Sequence, residues 1–206
     1  MESYPGSDEV LADLGDKVIG GISLGVARAA KDLAEYRRLK PGWVARHSKR
    51  GLAGWIHDAV WHYLSMTLDG IPEVTLLDQE PHREVFVGIR YRMRVKRHFG
   101  EGAIRTYPTQ GALDFYLQPP QLPGLEEIRL TAGYRWRMID RMMGAAVLSL
   151  RDGLDNVIWV EELPPPAAGM DGVQSITPPP ATGPKAPVID VEGEGGDEPG
   201  EESALS

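Results

Sequence analysis

Apolar residues return at helical spacing over the first forty positions: Val10, Leu14, Val18 and Ile22, then Ala30, Leu33 and Ala34. This predicts a helix from about Ser7 to Lys40, open to interruption, weakened by Gly20-Gly21 and Gly25 and stopped by Pro41-Gly42. Gly51-Leu52-Ala53-Gly54 then precedes a second helix running to about Leu68. Its stripe of Trp55, Ile56, Ala59, Val60, Tyr63 and Leu64 is broad enough to lie on a sheet, and Asp69-Gly70-Ile71-Pro72 ends it.

From Glu73 the period drops to two and the next ninety residues read mostly as β-structure. Val74 to Asp78 is a short strand. Glu84 to His98 reads as one long strand with Val85, Val87, Ile89, Tyr91, Met93 and Val95 on one face. After Phe99-Gly100-Glu101-Gly102, Ile104 to Tyr107 pairs back, and Pro108-Thr109-Gln110 opens a short helix to about Leu117. Pro119 to Gly124 is a loop, followed by strands at Ile128 to Met138, Ala145 to Leu150 and Val157 to Leu163, the last two joined as a hairpin through Arg151 to Asn156. Helices first and a largely antiparallel sheet afterwards predict an α+β fold, N-terminal helices packed on the sheet. Beyond Leu163, Pro164-Pro165-Pro166, Pro178-Pro179-Pro180 and an acidic run from Glu192 to Glu202 carry no aromatic residue and no apolar period. Such a segment buries too little surface to offset its conformational entropy. The expected organisation is one domain over 1–163, helical over 1–50 and basic from 28, with a disordered acidic Pro/Gly-rich tail over 164–206.

Charge sharpens this division. The net charge is −8, yet from Glu161 onward ten carboxylates face one lysine, so the preceding residues carry +1. Within them Glu2 to Asp16 is acidic, whereas Arg28 to Arg50 and Arg83 to Arg105 are basic, the segregation of an anion-attracting surface. There is no cysteine, which excludes disulfides, thiolate metal sites and thiol catalysis. Without a basic, apolar leader or a stretch of about 20 apolar residues, a cytoplasmic protein with no membrane segment is expected.

The residues that carry chemistry are cations. Period two places Arg90, Arg92, Arg94, Lys96 and His98 on one face of the long strand, about 6.6–6.8 Å apart, a pitch suited to successive charges on a polyanion. In the later strand Arg129, Arg135 and Arg137 alternate with Leu130, Ala132, Tyr134 and Trp136. If both rows share a face, carboxylates are nearly absent from it, and like charges on neighbouring strands repel unless an anion relieves them. The expected anion or nucleic-acid contacts are therefore Arg90, Arg92, Arg94, Lys96, Arg129, Arg135 and Arg137. The catalytic candidates, His57 and Asp58, are adjacent on a helix and point about 100° apart. No HExxH or other metal spacing occurs and no GK[ST] follows the early glycines, so no metal and no cofactor is expected. Asp78 and Glu84 lack the trailing lysine of a metal-dependent nuclease, and the five tryptophans read as core. The acidic tail is a candidate competitor for the basic face.

Ile56-His57-Asp58, Arg90-Tyr91-Arg92-Met93-Arg94, Tyr107-Pro108-Thr109-Gln110, Gly133-Tyr134 and Trp159-Val160-Glu161-Glu162-Leu163 carry a resemblance. Over about residues 51–163 the chain resembles small uncharacterised bacterial and phage proteins of two-gene, toxin–antitoxin-like modules. The other gene of such modules encodes a helix-turn-helix regulator, often with a zinc-peptidase-like (ImmA/IrrE-type) domain. The resemblance implies a toxin-like or regulatory component with such a protein partner, acting on nucleic acid or an acidic partner, and brings no catalytic residue. The alternative is a non-enzymatic nucleic-acid-binding accessory protein of a phage or prophage.

Overall fold

The computed structural model describes residues 4–79, 82–119 and 127–167. The chain falls into two units, Met1–Asp171 and Gly172–Ser206, and every element below belongs to the first. The expectation of a disordered tail falls, from residue 168 onward, outside the described residues.

Helix α1 spans Ser7–Leu39, and its one non-helical residue is Gly15, with φ of 73°. The helix runs unbroken through the weak Gly20-Gly21 pair, and its kink falls at Gly15 instead. Gly21 instead lets α3 (Lys49–Leu68) approach, since a Cβ at Gly21 would lie 2.7 Å from Leu68 Cδ2, and Thr67 Oγ1 donates to the Gly21 carbonyl at 2.8 Å. The glycines that weaken a helix by propensity are here the residues that let two helices meet. A short helix α2 (Pro41–Arg46) starts on Pro41, which fits a first helical position because it has no N–H to satisfy. Helix α3 begins earlier than its apolar stripe suggests, because the Ser48 side chain accepts from Gly51 N at 2.9 Å and caps it.

The strands are β1 (Val74–Gln79), β2 (His82–Val87), β3 (Tyr91–Phe99), β4 (Ala103–Ile104), β5 (Ile128–Arg137), β6 (Met142–Arg151) and β7 (Val157–Glu162). They form one sheet in the order β1-β2-β3-β5-β6-β7, with β4 on β3; every pairing is antiparallel except β3 with β5. The expected α+β architecture is present: α1 and α3 cover one sheet face. Val10, Ile22, Ala29 and Leu33 of α1 and Ile56, Val60 and Leu64 of α3 bury against Val85, Met93, Val95, Leu130, Leu148 and Leu150. Ile56, Val60, Leu130 and Leu148 are fully shielded, each contributing about 1.5–3 kcal/mol by leaving water.

Two strand expectations need correction. Glu84 to His98 is not one strand but a hairpin, turning at Gly88-Ile89-Arg90 where Gly88 takes φ of 56°. Ile89 therefore leaves the core face and lies exposed. The second sheet face is also not open. Helix α4 (Gln110–Tyr116), capped by Thr109, buries Phe115 and Tyr116, and the Phe115 ring lies 4.1 Å from the Arg94 guanidinium. Polar groups share this interior. His98 Nε2 meets Ser149 Oγ at 3.0 Å, and the buried Arg151 donates to the carbonyls of Leu154 and Gly102.

Candidate nucleic-acid interface

The two cation rows lie in phase, since β3 and β5 pair Arg92 with Arg129 and His98 with Arg135. Their charges, however, are met inside the protein. Arg90 sits in the β2–β3 turn and pairs with Glu9, at 3.0 Å, and with Asp13 of α1. Arg92 forks onto Glu84, Nε to Oε2 at 2.7 Å and Nη2 to Oε1 at 3.0 Å, and Arg94 Nε reaches the same carboxylate at 2.7 Å. Arg129 bonds Glu127 at 2.5 Å, Arg135 bonds Glu162 at 2.9 Å, and Arg137 pairs with Asp140 at 2.7 Å. The expectation that carboxylates are nearly absent from this face is thus corrected. The hairpin at Gly88 folds Glu84 back opposite Arg94, on the arginine side. Burial pushes the Glu84 carboxyl up, but Arg92 and Arg94 outweigh it and hold the group below its ordinary range. Lys96 is the member of the set with no carboxylate among the described residues; its Nζ lies 3.3 Å from Thr106 Oγ1.

No hydrogen bond joins His57 to Asp58 among the described residues, although the Asp58 charge acts on His57 against its lowering. Asp58 bonds Arg83 Nη1 at 2.6 Å, while His57 is held below its ordinary pKa by burial and then by Lys96 and Arg83. Among the described residues no cluster of three or more His, Asp or Glu gathers as a metal site, and no helix is long and apolar enough to cross a membrane.

A different set of cations converges where the helix-facing side of the sheet runs out. Beyond Val95 the same face of β3 carries Arg97 and Phe99, and beyond Tyr134 the face of β5 carries Trp136. These residues meet the first turn of α3 and the β5–β6 turn around a groove of about 640 Å³. Lys49, Arg50, Arg97, Arg105 and Arg141 line it with Leu52, Phe99, Trp136 and Met138, and among the described residues no carboxylate does. None of the five cations is ion-paired among the described residues. Arg97 stacks 4.1 Å above Trp136 and donates through Nε to Tyr134 Oη at 2.8 Å, which leaves its buried Nη2 without a partner. Arg105 lies 4.9 Å over Phe99.

Two local features of this groove run against ordinary preference. The first turn of α3 holds Lys49 and Arg50 and no acidic residue, although the positive end of a helix favours carboxylates. Arg141, at φ of 56°, is the one non-glycine residue with positive φ among those described, and Arg37 fixes that turn by donating to the Arg141 carbonyl. Nearby in the chain, Trp43 of α2 is 59% exposed with Lys40 Nζ 5.1 Å from its ring, which corrects the expectation that all five tryptophans are core. No family model, curated protein or solved structure matches the chain.

No local pattern marks this groove in the sequence, because its cations come from four separate stretches. The available signals were small: a basic pair directly after the Ser48 cap, an arginine on the apolar side of β3, and an arginine in a turn that favours glycine or asparagine.

Proposed function

We propose that this protein binds single-stranded nucleic acid in the groove of Lys49, Arg50, Arg97, Arg105 and Arg141. The observation that carries the proposal is the convergence of five cations, unpaired among the described residues, on an apolar and aromatic floor. A single strand offers both things such a site can use, a phosphate backbone for the rim and planar base faces for the stacked Arg97 and the ring of Phe99. An acidic peptide without aromatic or apolar side chains would answer the charges and leave the floor unused. The arginines of the sheet face hold the fold together through Glu84, Glu127 and Glu162 and are not the contact surface in this reading.

Fluorescence anisotropy of a labelled oligonucleotide against salt tests it. Five phosphate contacts give a log–log slope of about −3.5 for a single strand, so affinity should fall roughly a hundredfold from about 50 to 200 mM salt. Arg50→Glu with Arg141→Glu should bring the slope to about −2 and weaken binding at every salt concentration. Absence of binding at low salt, or an affinity indifferent to salt, overturns the proposal. The toxin-like or regulatory role that the resemblance implies would act through this same groove, and expressing the chain with and without its adjacent gene tests that role by growth.

A further inference from the structure

A second cavity, of about 440 Å³, adjoins the groove and shares Arg105 with it. It lies where the central strand has lost a neighbour. Strand β2 pairs with β3 as far as Glu84 opposite Arg94, and β4 resumes only at Ile104 opposite His98, so among the described residues no strand pairs with Val95, Lys96 and Arg97 on that edge. His57, Arg83 and the chain from Arg105 to Thr109 wall the gap.

Lys96 enters this cavity half-buried, with the Thr106 hydroxyl beside it and no carboxylate partner among the described residues. The acids nearby are already engaged: Glu84 with Arg92 and Arg94, Asp58 and Asp78 with Arg83. Burial and then the Arg94 charge press the Lys96 ammonium below its ordinary range, and no opposing charge lifts it. A desolvated ammonium without a counter-ion is an incomplete arrangement, completed most directly by a compact anion. Two cations of the cavity, Lys96 and Arg105, lack carboxylate partners among the described residues, and Thr106, Tyr107 and Thr109, each carrying a hydroxyl group, line the same walls.

We propose that the cavity at the open edge of β3 binds a phosphate monoester, its two negative charges set against Lys96 and Arg105 and its oxygens against the threonine hydroxyls. A diester or a carboxylate supplies one charge where the cavity holds two uncompensated cations. The monoester comes either from a small molecule or from the terminal phosphate of a strand lying in the adjoining groove; the second source rests on the nucleic-acid reading above.

Lysine footprinting on the full chain tests this. The protein is briefly treated with acetic anhydride, and acetylation of Lys96 is measured by mass spectrometry against exposed Lys17 and Lys31 as internal controls. Inorganic phosphate at about four times its Kd should slow Lys96 labelling about fivefold, since the free fraction falls as 1/(1 + [L]/Kd), and leave the controls unchanged. Protection by inorganic phosphate and by a 5′-phosphorylated oligonucleotide, but not by its 5′-hydroxyl counterpart, assigns the terminal phosphate of a strand; protection by inorganic phosphate alone assigns a small monoester. Equal labelling of Lys96 with and without both phosphate ligands, or protection of Lys96 by both oligonucleotides to the same extent, overturns the proposal. If the 5′-hydroxyl strand binds by anisotropy while Lys96 stays unprotected by phosphate, the cavity assignment fails and the groove stands; if no strand binds while phosphate protects Lys96, the reverse holds. Lys96→Arg should retain, and Lys96→Met lose, the broadening of the inorganic phosphate ³¹P signal.

Discussion

Replacing Glu84 with glutamine should destabilise the fold by about 3 kcal/mol and leave the affinity for nucleic acid unchanged. The Glu84 side chain is fully shielded and accepts from two guanidinium groups, Arg92 at 2.7 and 3.0 Å and Arg94 at 2.7 Å. Removing its charge leaves two cations about 6.7 Å apart on one strand face with no shared anion. Breaking a buried ion pair costs about 3–5 kcal/mol. The lower end applies here, because Arg92 keeps Glu127 at 3.8 Å and the two arginine side chains are 28% and 15% exposed, so water compensates part of the loss. Urea unfolding at neutral pH reads the change: with a slope of about 2 kcal/mol per molar, the midpoint should drop by about 1.5 M. The pH dependence has a definite sign. The folded-state pKa of Glu84 lies below its ordinary 4.5, so its stabilisation is complete above that pH and is lost as pH falls through the folded value. The gap between native protein and variant should therefore be constant from neutral pH to about 4.5 and narrow below it. A midpoint shift below about 0.3 M, or a gap that widens in acid, refutes the reasoning. Binding supplies a second criterion. If the sheet-face arginines were the contact surface, freeing two of them would raise oligonucleotide affinity about tenfold or more at low salt, and that result would return the site to the sheet.

Two further outcomes follow from the geometry. Arg141→Gly should stabilise the protein by about 0.5–1 kcal/mol, since glycine takes the positive φ of that turn without strain and the Arg37 contact is to backbone, yet it should lower oligonucleotide affinity; thermal melts and anisotropy check the two halves. His98, buried and facing Arg151 and Arg135, has its pKa lowered to about 3, so the native state resists a proton that the unfolded chain accepts. Unfolding free energy should then fall by about 1.4 kcal/mol per pH unit between roughly pH 6.5 and 4.5, above the Glu84 window, and His98→Gln should flatten that slope apart from the share due to His57, which shifts the same way.

The apolar periods made the architecture legible. The stripe of Ile56, Val60 and Leu64 and the alternation Tyr91, Met93, Val95 report burial directly, because side chains on one face must share one environment. The same signal hid the hairpin. Ile89 continues the alternation from Val87 to Tyr91, so the only mark of the turn is Gly88, and once the turn is missed Glu84 reads as the start of a strand rather than the partner of Arg94. Charges on a face can be counted from sequence, but which of them are neutralised depends on pairing across strands, and one turn decides it.

The groove escaped for the opposite reason, since four of its five cations violate local preferences at three separate places in the chain and only the fold brings those violations together. Lys49 and Arg50 occupy the positive end of α3, where cations are disfavoured by about 0.3–1 kcal/mol each. Arg97 stands on the apolar side of β3 with a buried nitrogen unpartnered, and Arg141 holds a backbone conformation that costs of order 1 kcal/mol. On the sheet face and at the β2–β3 turn the chain meets its arginines with carboxylates: Glu84, Glu127, Glu162, Asp140 and the acidic start of α1. A fold that neutralises so many cations could neutralise these as well. Sequences tend to break several local rules at one place where a ligand, rather than the rest of the chain, supplies the missing interaction. The separate violations meet in one groove, and a single polyanion laid along it would answer the charges of Lys49 and Arg50 and the unpartnered nitrogen of Arg97, offsetting the backbone cost at Arg141.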